Sequence, residues 1–378
     1  MKITRDIREH IQKEFEESNK IIMLYGARQT GKTTLSNDVL KSLPGKILKI
    51  NADELRYHEV LSSRDFNKLS LLVEGYDIVF IDEAQRIQDI GINLKIIHDN
   101  LPKLKLFVTG SSSLDLSAKI KEPLTGRTSS FILYPISLSE LRKETNVFEL
   151  QSRLEEFMIY GMYPGLFHFN SSEQKEKHLR ELTSSYLYKD ILELSSIKNS
   201  SKITSLLKLL ALQIGSEVSL TELGNNLGIS QETVGTYIDL LEQSFIVYRL
   251  SGFSRNLRKE ISKRDKIYFW DLGVRNSLLN NHLSLNLRDD TGAMWENFMV
   301  SERLKYLAYS QKFASSYFWR TYTGAEVDYV EEYNGELFAY EIKFRKKRVK
   351  TKAPKTWIDN YGTNFKCITT DNFWEFFT

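Results

Sequence analysis

Cysteine and histidine are scarce in this chain of 378 residues, which has one cysteine, Cys367, and six histidines. A single cysteine excludes an internal disulfide framework and fits a reducing compartment. Because the histidines are scattered, we do not expect a metal site built from His and Cys ligands. No apolar run is long enough to span a bilayer, and the first residues lack the apolar core of a signal peptide. These absences predict a cytoplasmic protein without membrane partners.

Net charge is also small, at +3 near neutral pH. The position of the charged residues therefore says more about partners than their sum does. The length predicts two or three domains with ample cores. The composition is ordinary for a globular protein, and neither an internal repeat nor a low-complexity linker is visible.

The most specific motif is a glycine-rich loop of the pattern G-x-x-x-x-G-K-T. Its residues are Gly26, Ala27, Arg28, Gln29, Thr30, Gly31, Lys32 and Thr33. An apolar run of strand length precedes the loop and a predicted helix follows it, which is the context of a phosphate-binding loop. The backbone N–H groups of such a loop and the helix N-terminus bind a triphosphate. We expect Lys32 to contact the β- and γ-phosphates, Thr33 to bind Mg²⁺, and Thr34 to complete the nucleotide site.

A second apolar strand, residues 77–81, ends in Asp82 and Glu83. We expect Asp82 to hold Mg²⁺ through water. Glu83 is placed to polarise an attacking water, which favours hydrolysis over binding alone. A buried strand with a solvated acidic end is the alternative, and the upstream phosphate loop favours the site.

Two further features extend this site. If the strand at residues 104–110 lies between the two strands above, Thr109 or Ser111 would lie near the γ-phosphate as a sensor; a plain Gly/Ser turn is the alternative. Arg127 lies outside any apolar pattern. It is a candidate for an arginine supplied to a neighbour's γ-phosphate, which would require an oligomer. A surface arginine is the alternative.

Over roughly residues 18–200 the chain resembles the AAA+-type P-loop ATPases of bacteria and archaea. The segments that carry the resemblance are 26–33, 82–83, 109–112 and 126–127. The resemblance implies ATP as the nucleotide, a parallel α/β sheet flanked by helices, and a helical lid near residues 150–200. We therefore assign an ATPase module with its lid to residues 1–200.

A helix-turn-helix pattern follows in the chain. Ser219 and Glu222 match the capping box S-x-x-E at the start of a short helix, which ends at Gly228. Ser230 can cap a second helix, and an earlier helix completes a group of three. The second helix begins without Arg or Lys, so base-specific reading of DNA is not expected of it.

Two predicted strands, near residues 245–249 and 266–270, come next. The loop between them is basic and contains Arg255, Arg258, Lys259, Lys263 and Arg264. Helix-turn-helix followed by two strands predicts a winged helix over residues 201–275, with its basic loop in contact with nucleic-acid phosphates. A winged helix used only for domain packing is the alternative.

The last hundred residues contain a predicted hairpin whose turn is Asn334-Gly335. With a two-residue turn, Asp328 lies directly opposite Glu341, and strand alternation places Glu341 and Lys343 on one face. Two opposed carboxylates repel each other unless a cation such as Mg²⁺ lies between them. Lys343 could then orient or deprotonate the attacking water, and the metal would lower the pKa of that water.

Glu296, on a preceding predicted helix, is a candidate third ligand or base. Asp328, then Glu341-x-Lys343, with a glutamate on an earlier helix, resembles the PD-(D/E)XK nuclease superfamily over about residues 290–370. Val327 stands where a proline is often found. The resemblance implies an α+β restriction-endonuclease-like domain over residues 276–378, with or without cleavage. The alternative is a solvated sheet face carrying a Glu326–Lys343 ion pair.

A run of basic residues adjoins this cluster. After Lys343 it contains Arg345, Lys346, Lys347, Arg348, Lys350 and Lys352. Such runs are usually solvated, but here the run would supply counter-charge to a phosphodiester. We therefore expect the Lys343–Lys352 patch to bind nucleic acid.

The order of the three domains resembles a widespread family of prokaryotic ATPases of largely unknown role. The first hypothesis is an ATP-driven enzyme acting on nucleic acid, with DNA as the expected substrate and ATP gating cleavage. The second is a nucleotide-switched protein whose C-terminal domain grips DNA or a protein and cuts nothing. A small-molecule kinase would share the phosphate loop but would leave the C-terminal cluster unexplained.

Overall fold

The computed structural model of the chain describes residues 3–111, 124–187, 200–255, 264–344 and 352–377. Among these residues no helix is long and apolar enough to cross a membrane. Several predicted features lie outside the described residues. They are Ser112, residues 188–199 of the predicted lid, the loop residues Arg258, Lys259 and Lys263, and the basic residues from Arg345 to Lys350.

The first sheet of the described chain has five strands, all parallel, in the order β2-β3-β4-β1-β5. The strands are β1 (Ile21–Tyr25), β2 (Ile47–Asn51), β3 (Ile78–Asp82), β4 (Lys105–Gly110) and β5 (Thr128–Ile132). Every residue of β1 is buried, as expected for a central parallel strand covered on both faces. The predicted position of β4 between the loop strand and the acidic strand is confirmed.

Five helices accompany this sheet within the described residues. They are α1 (Ile7–Glu17), α2 (Lys32–Leu40), α3 (His58–Leu61), α4 (Phe66–Val73) and α5 (Ile90–Asn100). Helix α1 buries Ile7, Ile11 and Phe15, which recur every four residues and so share one face. This parallel sheet with its covering helices is the α/β fold that the phosphate-loop motif predicts.

A group of shorter helices follows the sheet. They are α6 (Leu138–Glu144), α7 (Val147–Ser152), α8 (Leu154–Tyr160) and α9 (Ser172–Glu181), with a 3₁₀ turn at Pro164–His168 and a π-helical turn at Leu182–Leu187. The capping box at the start of α6 is complete, because the side chains of Ser137 and Glu140 each bond to the other's backbone N–H. Helix α8 ends at Tyr160, and Gly161 follows it with a positive φ of 78°.

Three helices and a hairpin occupy the next part of the chain. They are α10 (Ser200–Leu212), α11 (Leu220–Leu227), α12 (Gln231–Gln243) and the antiparallel strands β6 (Val247–Gly252) and β7 (Lys266–Phe269). Ser219 and Ser230 cap α11 and α12 as predicted, and Gly228 ends α11 with a positive φ of 64°. The order of elements therefore matches the pattern that predicted a winged helix.

The hairpin of β6 and β7 is part of a second sheet, which contains both parallel and antiparallel strand pairs. In the described chain this sheet has the order β11-β10-β9-β8-β6-β7. The added elements are α13 (Leu272–Leu278), α14 (Thr291–Tyr309), β8 (Ser315–Arg320), β9 (Glu326–Tyr333), β10 (Glu336–Ile342), α15 (Lys355–Tyr361) and β11 (Phe365–Ile368). Strand β6 pairs with β8 at Ser251–Tyr317 and Gly252–Phe318. The sheet thus runs across the predicted boundary between residues 275 and 276.

The residues that follow the first sheet, from Tyr134 to α6, pack against α14 and the end of β7. The backbone N–H of Leu138 donates to Glu302 at 2.5 Å, and Lys305 donates to Glu302 at 2.6 Å. The rings of Tyr134 and Trp270 lie 4.2 Å apart between centroids. One continuous buried apolar cluster includes residues from α1, β1, the helices α6 to α8 and α14.

Candidate functional site

The phosphate loop lies between β1 and α2, where two glycines make its path possible. A Cβ on Gly26 would lie 2.2 Å from the carbonyl oxygen of Leu133, closer than real atoms approach. Gly31 caps α2 with φ of 96°, a conformation that other residues rarely adopt. The loop therefore requires glycine at both positions, as the motif predicts.

Lys32 is buried within this loop. Its ammonium donates to the carbonyl oxygens of Gly26 at 2.9 Å and Ala27 at 3.1 Å. The hydroxyl of Thr30 donates to Ala27 at 2.8 Å. The carbonyl oxygens of Gly26 and Ala27 hold the Lys32 ammonium at the centre of the loop, because a buried charged group needs hydrogen-bond partners.

A chain of hydrogen bonds joins the loop to the acidic strand. Thr33 donates to one carboxylate oxygen of Asp82 at 2.8 Å, and Thr109 donates to the other. The backbone N–H of Glu83 donates to the Thr109 hydroxyl at 3.2 Å. The predicted Mg²⁺ residues, Thr33 and Asp82, are thus in direct contact, and an oxygen donor set of hydroxyl and carboxylate fits Mg²⁺.

Glu83 has an unusual backbone and a close partner. Its φ is 54°, in the left-handed region that non-glycine residues seldom occupy. The side-chain amide of Gln85 donates to the Glu83 carboxylate at 2.5 Å and to the Ser111 hydroxyl at 3.0 Å. Gln85 therefore connects the predicted base to the predicted sensor, a role that the sequence pattern alone did not indicate.

Two cavities adjoin the loop. One, of about 460 Å³, is lined by Arg28, Gln29, Lys32, Thr33, Glu83 and Arg86, among others. The other, of about 710 Å³, lies on the far side of the loop and is lined by residues that include Arg5, Ile136, Phe167 and His168. Both are bordered by Gly31, Thr34 and Pro164. The loop thus has a polar cavity on one side and a partly apolar cavity on the other.

Arg127 lies at the opposite end of the sheet. Its carbonyl accepts from Ile21, the first residue of β1, whereas the phosphate loop follows the last residue of that strand. Five residues of strand separate the two ends by about 16 Å. The Arg127 guanidinium binds both carboxylate oxygens of Asp99, at 2.7 and 3.0 Å. Action on a neighbour's nucleotide stays a prediction.

The C-terminal hairpin has the predicted register. Tyr333 pairs with Glu336, and the pairing continues to Tyr329 opposite Tyr340. Asn334 and Gly335 both have positive φ, 52° and 80°, as a two-residue hairpin turn requires. Continued by one residue, this register places Asp328 opposite Glu341, as predicted.

Lys343 joins these two carboxylates. Its ammonium lies 3.3 Å from Asp328 Oδ2 and 3.1 Å from Glu341 Oε1. Asp328 and Glu341 are buried, and the backbone N–H of Ile342 donates to Asp328 at 2.8 Å. The cluster borders a cavity of about 400 Å³, which Lys352 also lines. The alternative of a solvated sheet face is therefore wrong for these two carboxyl groups.

Glu296 and Glu326 have a different partner from the one expected. Lys266, on β7, lies 3.0 Å from Glu296 and 2.8 Å from Glu326. The hydroxyl of Tyr268 donates to Glu296 at 2.5 Å. Glu326 therefore pairs with Lys266 and not with Lys343.

In the described chain, no three His, Cys, Asp or Glu side chains converge to hold a metal ion. This corrects the expectation of Glu296 as a third ligand.

Burial and charge act together on the protonation of Asp328. Burial raises the pKa of Asp328 from 3.8 to about 7, the charges of Glu296 and Glu341 add to the rise, and Lys343 opposes it. For Lys343, burial lowers the pKa but the charges of Asp328 and Glu341 outweigh it, so the pKa lies above its usual value. The carboxyl groups thus exceed the positive charge available to them.

This shift predicts a pH dependence of folding stability. Without divalent metal, the folded protein holds a proton on Asp328 that the unfolded chain releases, so stability falls as pH rises from 3.8, the ordinary pKa of Asp, to the folded pKa of about 7. Relative to Asp328→Asn, the wild type should lose about 1–3 kcal/mol of unfolding free energy between pH 5 and pH 8. Urea unfolding in EDTA measures this difference. A constant difference across the range would contradict the raised pKa.

The described basic residues of the predicted nucleic-acid surface are Arg255, Arg264, Lys343 and Lys352. Arg255 pairs with Glu332 at 2.7 Å, and Arg264 and Lys352 are exposed. No residue of helix α12 from 231 to 237 is basic. The nucleic-acid surface therefore stays a prediction that rests mainly on the sequence.

Arg5 connects the nucleotide loop to the C-terminal part and was missed by the sequence analysis. Its guanidinium donates to the Thr30 carbonyl in the loop at 2.9 Å, to the Tyr134 carbonyl at 2.6 Å, to Glu140 at 2.8 Å and to the Tyr309 hydroxyl at 3.3 Å. Tyr309 is the last residue of α14. Glu296 lies on the same helix, about 20 Å away at 1.5 Å per residue.

The phosphate loop, the acidic pair and the parallel sheet define a P-loop ATPase domain. Comparison with known families agrees, since residues 18–142 match the family model of an AAA domain. Residues 151–285 and 291–370 match two domains of unknown function, DUF8612 and DUF4143.

Two relatives align with most of this chain. The uncharacterized protein Rv2008c of Mycobacterium tuberculosis is 28% identical over 326 residues, covering 85% of this chain and 70% of that protein. The uncharacterized protein MJ1544 of Methanocaldococcus jannaschii is 26% identical over 303 residues, covering 75% and 66%. The Walker-type ATPase PABY2304 of Pyrococcus abyssi superimposes with a TM-score of 0.52 at 17% identity, over 73% of this chain and 95% of that one. At this identity, the last likeness concerns the fold alone.

Proposed function

We propose that this protein binds ATP with Mg²⁺ at the phosphate loop, hydrolyses it, and acts on nucleic acid through its C-terminal cluster. The observation that carries the ATPase part is the hydrogen-bonded chain of Thr33, Asp82, Thr109 and Glu83 at one end of the parallel sheet. It brings the predicted metal residues, sensor and base together although they come from three separate segments.

The roles within the nucleotide site follow from this geometry. Thr33 and Asp82 would hold Mg²⁺, which when bound neutralises charge on the phosphates. Lys32 would exchange its carbonyl partners in the loop for phosphate oxygens. Glu83 accepts the proton of the attacking water after Gln85 releases its carboxylate. The cavity beyond Thr34, lined by Phe167 and Ile136, suits the base and the ribose.

The C-terminal cluster supports a Mg²⁺-dependent cleavage site. Mg²⁺ is commonly bound by one or two carboxylates, with water and substrate phosphate completing its coordination. Asp328 and Glu341 supply two, and Lys343 contacts both. The excess of negative charge around Asp328 favours the binding of a cation. When bound, the metal would stabilise charge on the phosphate and activate a water, and Lys343 would orient that water.

Arg5 and α14 give the two sites a physical connection. Arg5 binds a carbonyl of the phosphate loop at one side and Tyr309 at the other. A change in the loop on nucleotide binding would therefore act on the helix that carries Glu296. This supports ATP gating of the C-terminal cluster.

A second candidate function is a nucleotide-switched protein that grips nucleic acid or a protein partner without cutting. The observation that favours it is the partial compensation of the cluster's negative charge by Lys266 and Lys343. A site with two resident ammonium groups has less need of metal.

Salt dependence tests the nucleic-acid part of the proposal. Affinity for labelled double-stranded DNA should fall steeply between 50 and 200 mM salt, by about tenfold or more, because the basic residues displace counterions. Lys352→Ala should lower the slope of log K against log salt by about 1, since it removes one phosphate contact. Lys366→Ala is the control, because Lys366 lies on β11 and pairs with Glu375 in the 3₁₀ turn at Phe373–Phe377. A flat salt response would remove the basic patch from the account.

A further inference from the structure

Lys266 is a buried lysine that lies between the carboxylates of Glu296 and Glu326. Lys266 is only 3% exposed, yet it comes from a strand whose other residues are apolar or aromatic. Its two carboxylate partners come from different elements, α14 and β9. Burial lowers the pKa of Lys266, but the charges of Glu296 and Glu326 outweigh this and hold the pKa above its usual value. Lys266 is therefore a permanent cation inside the acidic cluster.

The charge balance of the cluster sets how many metal ions it can take. Its four carboxyl groups belong to Glu296, Glu326, Asp328 and Glu341, and its two ammonium groups to Lys266 and Lys343. When all are ionised, two negative charges remain, which equals the charge of one divalent ion. A second divalent ion would bring the charge of the cluster to +2, against +1 if Lys266 were absent, and unpaired buried charge is costly.

The positions of the carboxylates also favour the binding of one divalent ion over two. Both Lys266 and the Tyr268 hydroxyl donate to the same oxygen of Glu296, and Lys266 also lies against Glu326. A divalent ion between these two glutamates would have to displace the ammonium. Asp328 and Glu341 are contacted by Lys343, whose side chain is 43% exposed and can move aside more easily.

We infer that Lys266 is the resident cation of the C-terminal cluster: it takes the place that a second metal ion would need and confines metal binding to Asp328 and Glu341. The inference deepens the proposed cleavage site and rests on it for the single bound metal. It makes Lys266 a positioning residue, because it acts on Glu296 and Glu326 and not on the metal.

Manganese binding tests this directly. The full chain with Asp82→Asn, used without nucleotide so that the ATPase site stays silent, is titrated with Mn²⁺ by calorimetry. We expect one bound Mn²⁺, which is lost when Asp328→Asn is added. Lys266→Met should raise the stoichiometry to two, because Glu296 and Glu326 are released, and Lys266→Arg should keep it at one. A folded Lys266→Met protein that still binds one ion would overturn the inference.

Two further results separate this inference from the proposed function. If Lys266→Met does not fold, Lys266→Gln decides, because it also removes the ammonium: two bound Mn²⁺ support the inference, and one bound Mn²⁺ overturns it. If the chain with Lys266 binds no Mn²⁺ but Lys266→Met binds one, Lys266 is the resident cation and the proposed metal site at Asp328 is wrong. If neither protein binds Mn²⁺, both proposals fail.

Discussion

Replacing Lys32 by alanine is expected to lower the rate of ATP hydrolysis by about 10²–10³-fold or more, to the background of the assay. The Lys32 ammonium is the buried cation at the centre of the phosphate loop. Charge that develops on the phosphates during hydrolysis would lose its nearest fixed positive partner. Phosphate release at saturating ATP and Mg²⁺ measures the effect.

The control is a lysine of the same helix region that lies away from the loop. Lys41 follows the last residue of α2 and is exposed. Lys41→Ala should therefore hydrolyse ATP at the wild-type rate. If Lys32→Ala retained turnover while binding nucleotide, the assignment of this loop as the hydrolysis site would be wrong.

Replacing Lys343 by alanine is expected to reduce cleavage of nucleic acid by about 10²–10³-fold, the effect of removing one fixed charge from a reacting centre. The Lys343 ammonium contacts both Asp328 and Glu341, the two carboxylates that would hold the metal. Its loss leaves their charge less compensated and leaves the attacking water without an orienting group. Initial rates on labelled DNA in Mg²⁺ or Mn²⁺ measure the change.

Lys355 provides the matched control for this experiment. It is an exposed lysine at the start of α15 in the same part of the chain. Lys355→Ala should cut at the wild-type rate. Equal cleavage by Lys343→Ala and the wild type would remove Lys343 from the site and leave the cluster without its proposed chemistry.

The nucleotide site could be predicted almost completely from the sequence, because its parts are local patterns. Gly26 and Gly31 each satisfy a backbone requirement that is visible in the motif. The place of Thr109 beside Asp82 followed from one assumption about strand order, which the sheet confirms. Gln85 was missed because its amide reaches Glu83 and Ser111 through the folded loop, which no spacing rule describes.

The C-terminal cluster was predictable only within its hairpin. The turn at Asn334 fixes the register by itself, so the meeting of Asp328 and Glu341 followed from counting along two adjacent strands. Lys266 was missed because it reaches the cluster from a strand that precedes it by many residues. A signal was present, since a lysine opening the apolar strand β7 indicates a charge that must find a buried partner.

Contacts between distant segments also explain the remaining differences. Arg5 and Tyr309 lie more than 300 positions apart, and nothing in the local sequence of either residue names the other. The predicted boundary near residue 275 followed from the pattern of elements. The pairing of β6 with β8 across it depends on tertiary packing.

We propose that ATP bound at the phosphate loop controls the cleavage of nucleic acid at the C-terminal cluster. A cleavage assay tests it most directly, with labelled double- and single-stranded DNA, Mg²⁺ or Mn²⁺, and ATP present or absent, for the wild type, Lys32→Ala and Lys343→Ala. The account predicts that the wild type cuts and that ATP changes its rate. It also predicts that Lys32→Ala is insensitive to ATP and that Lys343→Ala does not cut. No cutting under any condition, with DNA still bound, would contradict the cleavage claim and favour the nucleotide-switched binding protein.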